Sequence, residues 1–234
     1  MNRLNLLFSL SSLSVVLVTI ERFSFTTQVL LQPYSFLRLH EVIQMTLLIL
    51  FTTIIPFLFL KEISDNFETL KLPRGLILGV LFITGIYFYA TGNGLHEVSS
   101  FNFNYFCDPD SYSGELCNSF FFNDYYTGNL YYFVGAALMT TSLLFLERLR
   151  PNRTYQRKDL LVTLINAVIY AFAIFAYAAF DEVLVGLIYS LLVMVLADIL
   201  LVLVRKRYLE YPLTTYTAAT YTLGTLTALV VRFH

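Results

Sequence analysis

Charged side chains are scarce in this chain. Asp, Glu, Lys and Arg make up 13% of its 234 residues, whereas about a quarter is usual in a soluble domain. The 15 basic and 16 acidic residues give a net charge of −1, so no basic surface indicates a nucleic-acid partner. Apolar residues reach 57% of the chain and are concentrated in long runs. The composition therefore predicts an integral membrane protein, whose first partner is the lipid bilayer.

Tryptophan is absent and cysteine is nearly so. Since the chain has 17 Tyr and 22 Phe, we expect Tyr to supply the aromatic belts at the membrane surfaces and Phe to fill the bundle. Cys107 and Cys117 lie in one polar, aromatic loop, predicted from Asn102 to Asn123. We expect them to form a disulfide in an oxidising compartment, with two free thiols in the cytosol as the alternative.

Seven apolar segments are long enough to cross a bilayer at about 20 residues each. They are Leu4–Ile20, Leu39–Leu60, Pro73 to His96 or beyond, Tyr125–Leu146, Leu160–Phe180, Val183–Val204 and Leu213–Val231. The first resembles a signal peptide but lacks a cleavage site, so we expect a retained helix. Pro56 should bend the second, and Gly92-Asn93-Gly94 could interrupt the third. The prediction is an all-α, single-domain bundle of about seven transmembrane helices over residues 1–234.

Lys and Arg are distributed unevenly between the two ends of these segments. All but three of the 15 basic residues fall at one end, the exceptions being Arg22, Arg38 and Arg232. Positive residues concentrate on the cytoplasmic side of membrane proteins. We therefore expect a cytoplasmic amino terminus, an external carboxyl terminus and a location in the plasma membrane, with the cysteine loop outside.

A stripe of polar residues ends the third segment. Asn93, His96, Glu97 and Ser100 are spaced i, i+3, i+4 and i+7, so a continuing helix places them on one face. Such groups are costly in a membrane helix unless they face protein or water, which makes them a functional hypothesis.

Other polar residues should converge on that stripe from the outer ends of neighbouring segments. They are His40 and Glu41 before the second segment, Asp124, Tyr125 and Asn129 at the fourth, and Asp181 and Glu182 between the fifth and sixth. The fifth and sixth segments are separated by so few residues that they should form a tight antiparallel hairpin. The predicted topology therefore places an acidic, imidazole-containing site on the outer face.

Three chemical interpretations fit this site. The first is a membrane-embedded, metal-dependent hydrolase acting on a lipid-like or small amphipathic substrate. Imidazoles and carboxylates are ligands of zinc and similar divalent metals, which activate water. We assign catalytic roles to His96, Glu97, Asp181 and Asn93; metal binding to His40, His96, Glu41, Glu97 and Glu182; and substrate binding to Asn129, Tyr125, Asp124 and Ser100.

The second interpretation is a proton- or cation-coupled transporter, or a ligand-binding membrane protein, with Asp198 in the sixth segment as an inner relay. The third is a redox protein in which His40 and His96 ligate a haem. Neither His-Glu pair extends to HExxH, and no nucleotide-binding loop, nucleophile elbow or cofactor fingerprint is present. Purely structural roles also remain open: His40 as an interfacial cap, Asp181-Glu182 as a solvated turn, and Asp198 paired with a backbone or Tyr group or directed towards Arg205.

Overall fold

The computed structural model describes residues 2–108, 113–152 and 155–234, apart from the side chain of Lys206. This part of the chain is helical, with a single isolated β-bridge between Leu30 and Arg38. The α-helices are α1 Arg3–Arg22, α2 Leu39–Ile43, α3 Ile49–Ile63, α4 Pro73–Phe106, α5 Glu115–Phe121, α6 Asn129–Leu149, α7 Arg157–Phe180, α8 Val185–Val204 and α9 Pro212–Phe233. Short 3-10 turns cover Phe25–Gln28, Glu68–Lys71 and Arg205–Glu210, and π-helical turns cover Gln44–Leu48 and Phe122–Gly128.

Six helical segments of the described chain are long and apolar enough to cross a membrane. They are Arg3–Gln28, Leu39–Ile63, Pro73–Phe106, Glu115–Leu149, Arg157–Phe180 and Val185–Val204. The prediction of an all-helical, multi-pass membrane protein is confirmed to that extent. The seventh predicted segment forms a helix, α9, but its composition keeps it outside this group.

Contacts between helix termini define two ends of the bundle. At one end, which we call the basic end, Arg3 at the start of α1 lies 3.7 Å from Glu62 near the end of α3. There too, Asn5 of α1 donates a hydrogen bond to Asp159 at the start of α7. At the opposite, acidic end, α1 finishes, α2 begins, and the link between α7 and α8 meets α6.

The first half of helix α9 lies in the interior of the bundle, whereas its second half exposes Leu223, Leu226 and Val230. More than half of its 22 residues are buried, and it packs more extensively against α7 and α8 than these two pack against each other. Glu147 of α6 fixes its start: the buried carboxylate accepts the backbone N–H groups of Leu213 and Thr214 at 2.7 and 2.8 Å. A helix surrounded by protein needs no lipid-compatible surface, which explains its many Thr and Tyr residues. The predicted α7–α8 hairpin is present but splayed around α9.

Four glycines let α4 and α6 pack backbone to backbone. Gly85 and Gly92 of α4 are spaced by seven residues, as are Gly128 and Gly135 at the start of α6. A Cβ atom at Gly92 would lie 2.2 Å from the backbone nitrogen of Tyr132, and one at Gly135 would lie 2.2 Å from that of Tyr89. We call these four residues the glycine seam. Small residues permit such approaches between membrane helices, and this seam fixes the register of α4 against α6.

The structure corrects several predicted boundaries. Helix α4 continues unbroken through Gly92-Asn93-Gly94 to Phe106, and helix resumes at Glu115. The loop predicted from Asn102 to Asn123 is therefore much shorter; its residues 109–112 lie outside the described part. The second span departs from α-geometry at the π-turn Gln44–Leu48, while Pro56 is accommodated within α3.

The predicted cysteine pairing is confirmed in geometry. The sulfurs of Cys107 and Cys117 lie at bonding distance, with Cα atoms 5.9 Å apart, and no other cysteine occurs in the chain. The bond joins the end of α4 to α5, beside the acidic end of the bundle. It therefore tethers the residues that lead into α6.

Candidate functional site

His96 and Asp124 form the centre of the acidic end. His96 lies on α4, which continues as a helix through all four residues of the predicted polar stripe. Asp124 lies in the π-turn that leads into α6. The glycine seam brings the two together: a Cβ at Gly128 would lie only 3.0 Å from Cα of His96. His96 thus lies where the backbone of α4 closely approaches the segment that carries Asp124.

The two side chains form a close imidazole–carboxylate pair. Nδ1 of His96 lies 2.6 Å from Oδ1 of Asp124. Asp124 is buried, with 2% of its side chain exposed, whereas His96 is 37% exposed. The contact has the distance of an ion pair but not the alignment of a hydrogen bond. A buried carboxylate held against Nδ1 fixes the orientation of the ring while its other nitrogen is left for chemistry.

A second imidazole–carboxylate pair lies at the same end. Nδ1 of His40 is 2.6 Å from Oε2 of Glu21, at the end of α1. Gln44, in the first π-turn, donates to the same oxygen at 2.9 Å, and Thr26 donates to the other oxygen at 2.6 Å. Glu21 therefore ties together the end of α1, the following 3-10 turn and the start of the second span.

Arg38 neutralises Glu41, the neighbour of His40. Its Nε donates to Oε1 of Glu41 at 2.9 Å, and its backbone N–H donates to Oε2 at 2.9 Å. The Arg38 guanidinium also lies 5.3 Å from the ring centroid of Phe101 on α4. Glu41 is 1% exposed, so this contact compensates a buried charge and joins α2 to α4.

Glu97 lies between the two imidazole pairs. Its carboxylate is partly buried and within electrostatic range of His96, Glu41 and Arg22. Glu97 is the single acidic residue of α4, so it is the negative charge that this helix adds to the acidic end. Within the described residues Glu97 forms no ion pair of its own.

The α7–α8 link contributes two more carboxylates. Asn129 donates to Oδ2 of Asp181 at 3.1 Å, and the hydroxyl of Tyr125 donates to Glu182 at 3.4 Å. Burial raises the pKa of Asp181 above its ordinary value, and the nearby imidazole of His96 opposes that rise. Asp181 therefore lies in the electrostatic field of the His96–Asp124 pair, whereas Glu182 lies at the edge of the cluster.

Three of the predicted site residues have hydrogen-bond partners outside the cluster of imidazoles and carboxylates. Asn93 donates to the carbonyl of Tyr89 one turn earlier, at 3.1 Å. The carbonyl of Ser100 accepts a hydrogen bond from Asn104 at 2.8 Å. Asp198, the predicted inner relay, accepts a hydrogen bond from Thr222 of α9 through both oxygens at 3.1 Å.

The described residues contain no group of three or more His, Cys, Asp or Glu side chains arranged to hold a metal ion. The five predicted ligands are distributed instead among separate partners: His40 with Glu21, His96 with Asp124, Glu41 with Arg38, Glu182 with Tyr125, and Glu97 between them. His40, His96 and Glu41 each have a single close partner of their own, so these side chains do not converge on one point.

Sequence reasoning missed Glu21 and Gln44 as members of the cluster. Glu21 could have been found, because it ends the first segment on the side assigned to His40. Gln44 has no signal of its own, since only the π-turn directs it towards Glu21. π-Helical turns occur often at functional sites, and both such turns in the described chain carry a side chain of this cluster.

Comparison with known proteins identifies no relative: no family model, no curated protein and no solved structure matches the chain.

Proposed function

We propose that the protein is a membrane-embedded acid–base enzyme that hydrolyses an ester or amide bond in a lipid-like or small amphipathic substrate. The observation that carries this proposal is the His96–Asp124 pair, in which a buried carboxylate contacts Nδ1 of a partly exposed imidazole at 2.6 Å. We also propose that α9 completes a bundle of seven crossings, and that the acidic end faces the outside of the plasma membrane.

In the proposed reaction, His96 acts as the general base. Nε2 accepts a proton from water while the water oxygen forms a bond to the substrate carbonyl carbon. The bond from that carbon to the leaving oxygen or nitrogen then breaks, and the proton on Nε2 passes to the leaving group. Asp124 orients the ring and stabilises the imidazolium that forms. The products are a carboxylic acid and an alcohol or amine.

Aromatic side chains around the acidic end support an amphipathic substrate. Phe23, Phe25, Tyr34 and Phe36, between α1 and α2, are 84, 73, 74 and 65% exposed. Large exposed aromatic residues at the end of membrane-spanning helices are typical of the interface between lipid headgroups and acyl chains. A substrate lying in that layer would reach the cluster with its polar group towards His96.

The test uses full-length protein in lipid nanodiscs with two substrate series, p-nitrophenyl esters of increasing acyl length and fluorescent phospholipids and ceramides. We expect hydrolysis by the wild type, loss of about 100-fold or more in His96→Gln, and a smaller loss in Asp124→Asn. Asp198→Asn is the matched control, since it removes a membrane carboxylate outside the cluster. Equal rates in wild type and His96→Gln would refute the proposal.

Proton-coupled transport is the second candidate, favoured by a column of buried tyrosines inside the bundle. The hydroxyls of Tyr189 and Tyr221 lie 2.5 Å apart, and the rings of Tyr177 and Tyr189 have centroids 6.2 Å apart. This column runs inward from Tyr177, one turn before Asp181. A pH-sensitive dye inside proteoliposomes would detect His96-dependent proton uptake, which the hydrolase does not require.

A further inference from the structure

An open cavity of about 530 Å³ lies at the basic end, far from the cluster of imidazoles and carboxylates. It is lined by the end of α8, by the following 3-10 turn, by α6 and by the start of α9. The lining residues are Arg148, Leu203, Val204, Arg205, Arg207 and Tyr211. Three guanidinium groups and two aliphatic side chains thus share one concave surface.

The charge of this cavity is positive. Arg207 forms an ion pair with Glu210, through Nε at 3.0 Å and a second nitrogen at 2.5 Å. Arg148 makes only a long hydrogen bond, 3.4 Å, to the carbonyl of Leu200. Within the described residues Arg205 has no ion-pair or hydrogen-bond partner. One glutamate therefore offsets three arginines.

Tyr211 holds two of these arginines in place. It is buried, and the guanidinium carbons of Arg148 and Arg207 lie 6.0 and 5.9 Å from its ring centroid. Arginines beside an aromatic ring keep their N–H edges free for planar recognition of phosphate. Arg205 has a φ of 51°, a backbone conformation that favours glycine, at the point where the chain leaves α8. Non-glycine residues in such conformations cluster at functional sites.

The apolar part of the lining continues along α8. Val202 and Leu203 are 73 and 61% exposed, and Ile199, one turn earlier, is 54% exposed. An acyl chain could lie along this surface while the polar group to which it is attached enters the cavity. The combination of cationic cavity and apolar track is the arrangement by which membrane proteins bind acidic lipid headgroups.

We propose that this cavity binds a phosphate group, and that the phosphate is the headgroup of an anionic phospholipid in the leaflet at the basic end. Arg205 and Arg148 would contact the phosphate oxygens, and Arg207 would add charge through the N–H groups that Glu210 leaves free. The site is independent of the proposed hydrolase activity.

The test is native mass spectrometry of the full-length protein in detergent, titrated with phosphatidylglycerol, with phosphatidylcholine of the same acyl chains, and with inorganic phosphate. We expect phosphatidylglycerol to bind about tenfold more tightly than phosphatidylcholine. The double variant Arg148→Gln/Arg205→Gln should lose that tenfold preference, because it removes two of the three charged donors that would contact the phosphate. Binding of inorganic phosphate as tightly as the lipid would refute the assignment to a headgroup.

The control is Arg74→Gln, which removes an exposed arginine at the start of α4, at the same end of the bundle but outside the cavity. It should retain the preference. The single variant Arg205→Gln changes only an exposed side chain, so it should fold even if the double variant does not. It should reduce the preference for phosphatidylglycerol by several-fold. The proposal would be overturned if Arg205→Gln and the double variant both kept the preference for phosphatidylglycerol. It would also be overturned if Arg74→Gln lost that preference to the same extent as they did.

Discussion

Replacing Gly92 by alanine tests whether the close packing of α4 against α6 holds the candidate site together. The added Cβ would lie 2.2 Å from the backbone nitrogen of Tyr132 and 2.7 Å from the carbonyl oxygen of Gly128. Both atoms belong to the backbone, so no side-chain rotation relieves the clash. The helices must separate by roughly 1 Å at this level, and overpacking of this kind costs about 1–3 kcal/mol.

Gly94→Ala provides the matched control, two residues further along the same helix. A Cβ at Gly94 would meet no atom within 4 Å. Alanine has a higher helix propensity than glycine by about 1 kcal/mol, so this variant should be as stable as the wild type or more so. The two variants should therefore differ by the packing penalty alone, about 1–3 kcal/mol, since the propensity gain is common to both and cancels in the comparison.

Thermal unfolding followed by circular dichroism in detergent would measure this difference. A change of 1 kcal/mol shifts the melting temperature of a chain of this size by about 2–4 °C. Equal melting temperatures for Gly92→Ala and Gly94→Ala would refute the argument, because the substitutions are chemically identical and differ only in what the new methyl group meets.

The same variant should weaken the interaction between His96 and Asp124. A double-mutant cycle with His96→Gln and Asp124→Asn measures their coupling, expected at about 0.5–3 kcal/mol for groups in contact. In the Gly92→Ala background the coupling should fall towards zero, because the separated helices no longer hold the imidazole against the carboxylate. An undiminished coupling would show that the glycine seam does not position the pair.

Four further predictions concern other parts of the chain. Glu147→Ala should lower stability by about 2–4 kcal/mol, measured by thermal unfolding, with Glu147→Gln intermediate, because a buried carboxylate caps the start of α9. Burial raises the pKa of Asp181 above its ordinary value. Protonation of Asp181 therefore stabilises the folded protein. This stabilisation is fully present below the ordinary pKa and is lost as the pH rises through the raised pKa. Melting temperatures from about pH 3 to 8 should therefore show an advantage of Asp181→Asn over the wild type that grows with pH. Maleimide should label Cys107 and Cys117 only after reduction, as gel-shift assays would show. Reporter fusions should place the carboxyl terminus on the side opposite the α8–α9 turn, if α9 crosses the membrane.

The membrane fold could be predicted from the sequence because each span is encoded locally, in a run of apolar residues of the right length. The helix that carries His96 and Glu97 could also be predicted, from their spacing. The pairing of His96 with Asp124 could not, because spacing along one helix defines a face but not the register of its partner. That register depends on the glycine seam. The seven-residue spacings from Gly85 to Gly92 and from Gly128 to Gly135 are visible in the sequence, but they have meaning only once α4 and α6 are known to be neighbours.

The two π-turns could not be predicted from the sequence, for a related reason. Each adds a residue to a helical turn, and the added backbone strain is compensated by contacts made elsewhere in the fold. Gln44 reaches Glu21 across twenty-three positions of sequence, at 2.9 Å. Asp124 reaches His96 in the same manner, so the two residues that most affect the site's geometry are placed by tertiary contacts.

Helix α9 shows how composition depends on position within a bundle. A helix of 22 residues is about 33 Å long, enough to span the hydrocarbon layer. Hydropathy detects surface compatible with lipid, and the first half of α9 packs against α7, α8 and α6, so most of its Thr and Tyr side chains face protein. Arg232 near its far end donates to the carbonyl of Ala178 near the end of α7, at 3.1 Å. Since its start is capped by Glu147 at the basic end, α9 runs parallel to α7 for the full length of that helix. A helix long enough to cross the membrane thus carries its polar residues where α6, α7 and α8 pack against it, which is the physical reason that a count by hydropathy and a count by length differ by one.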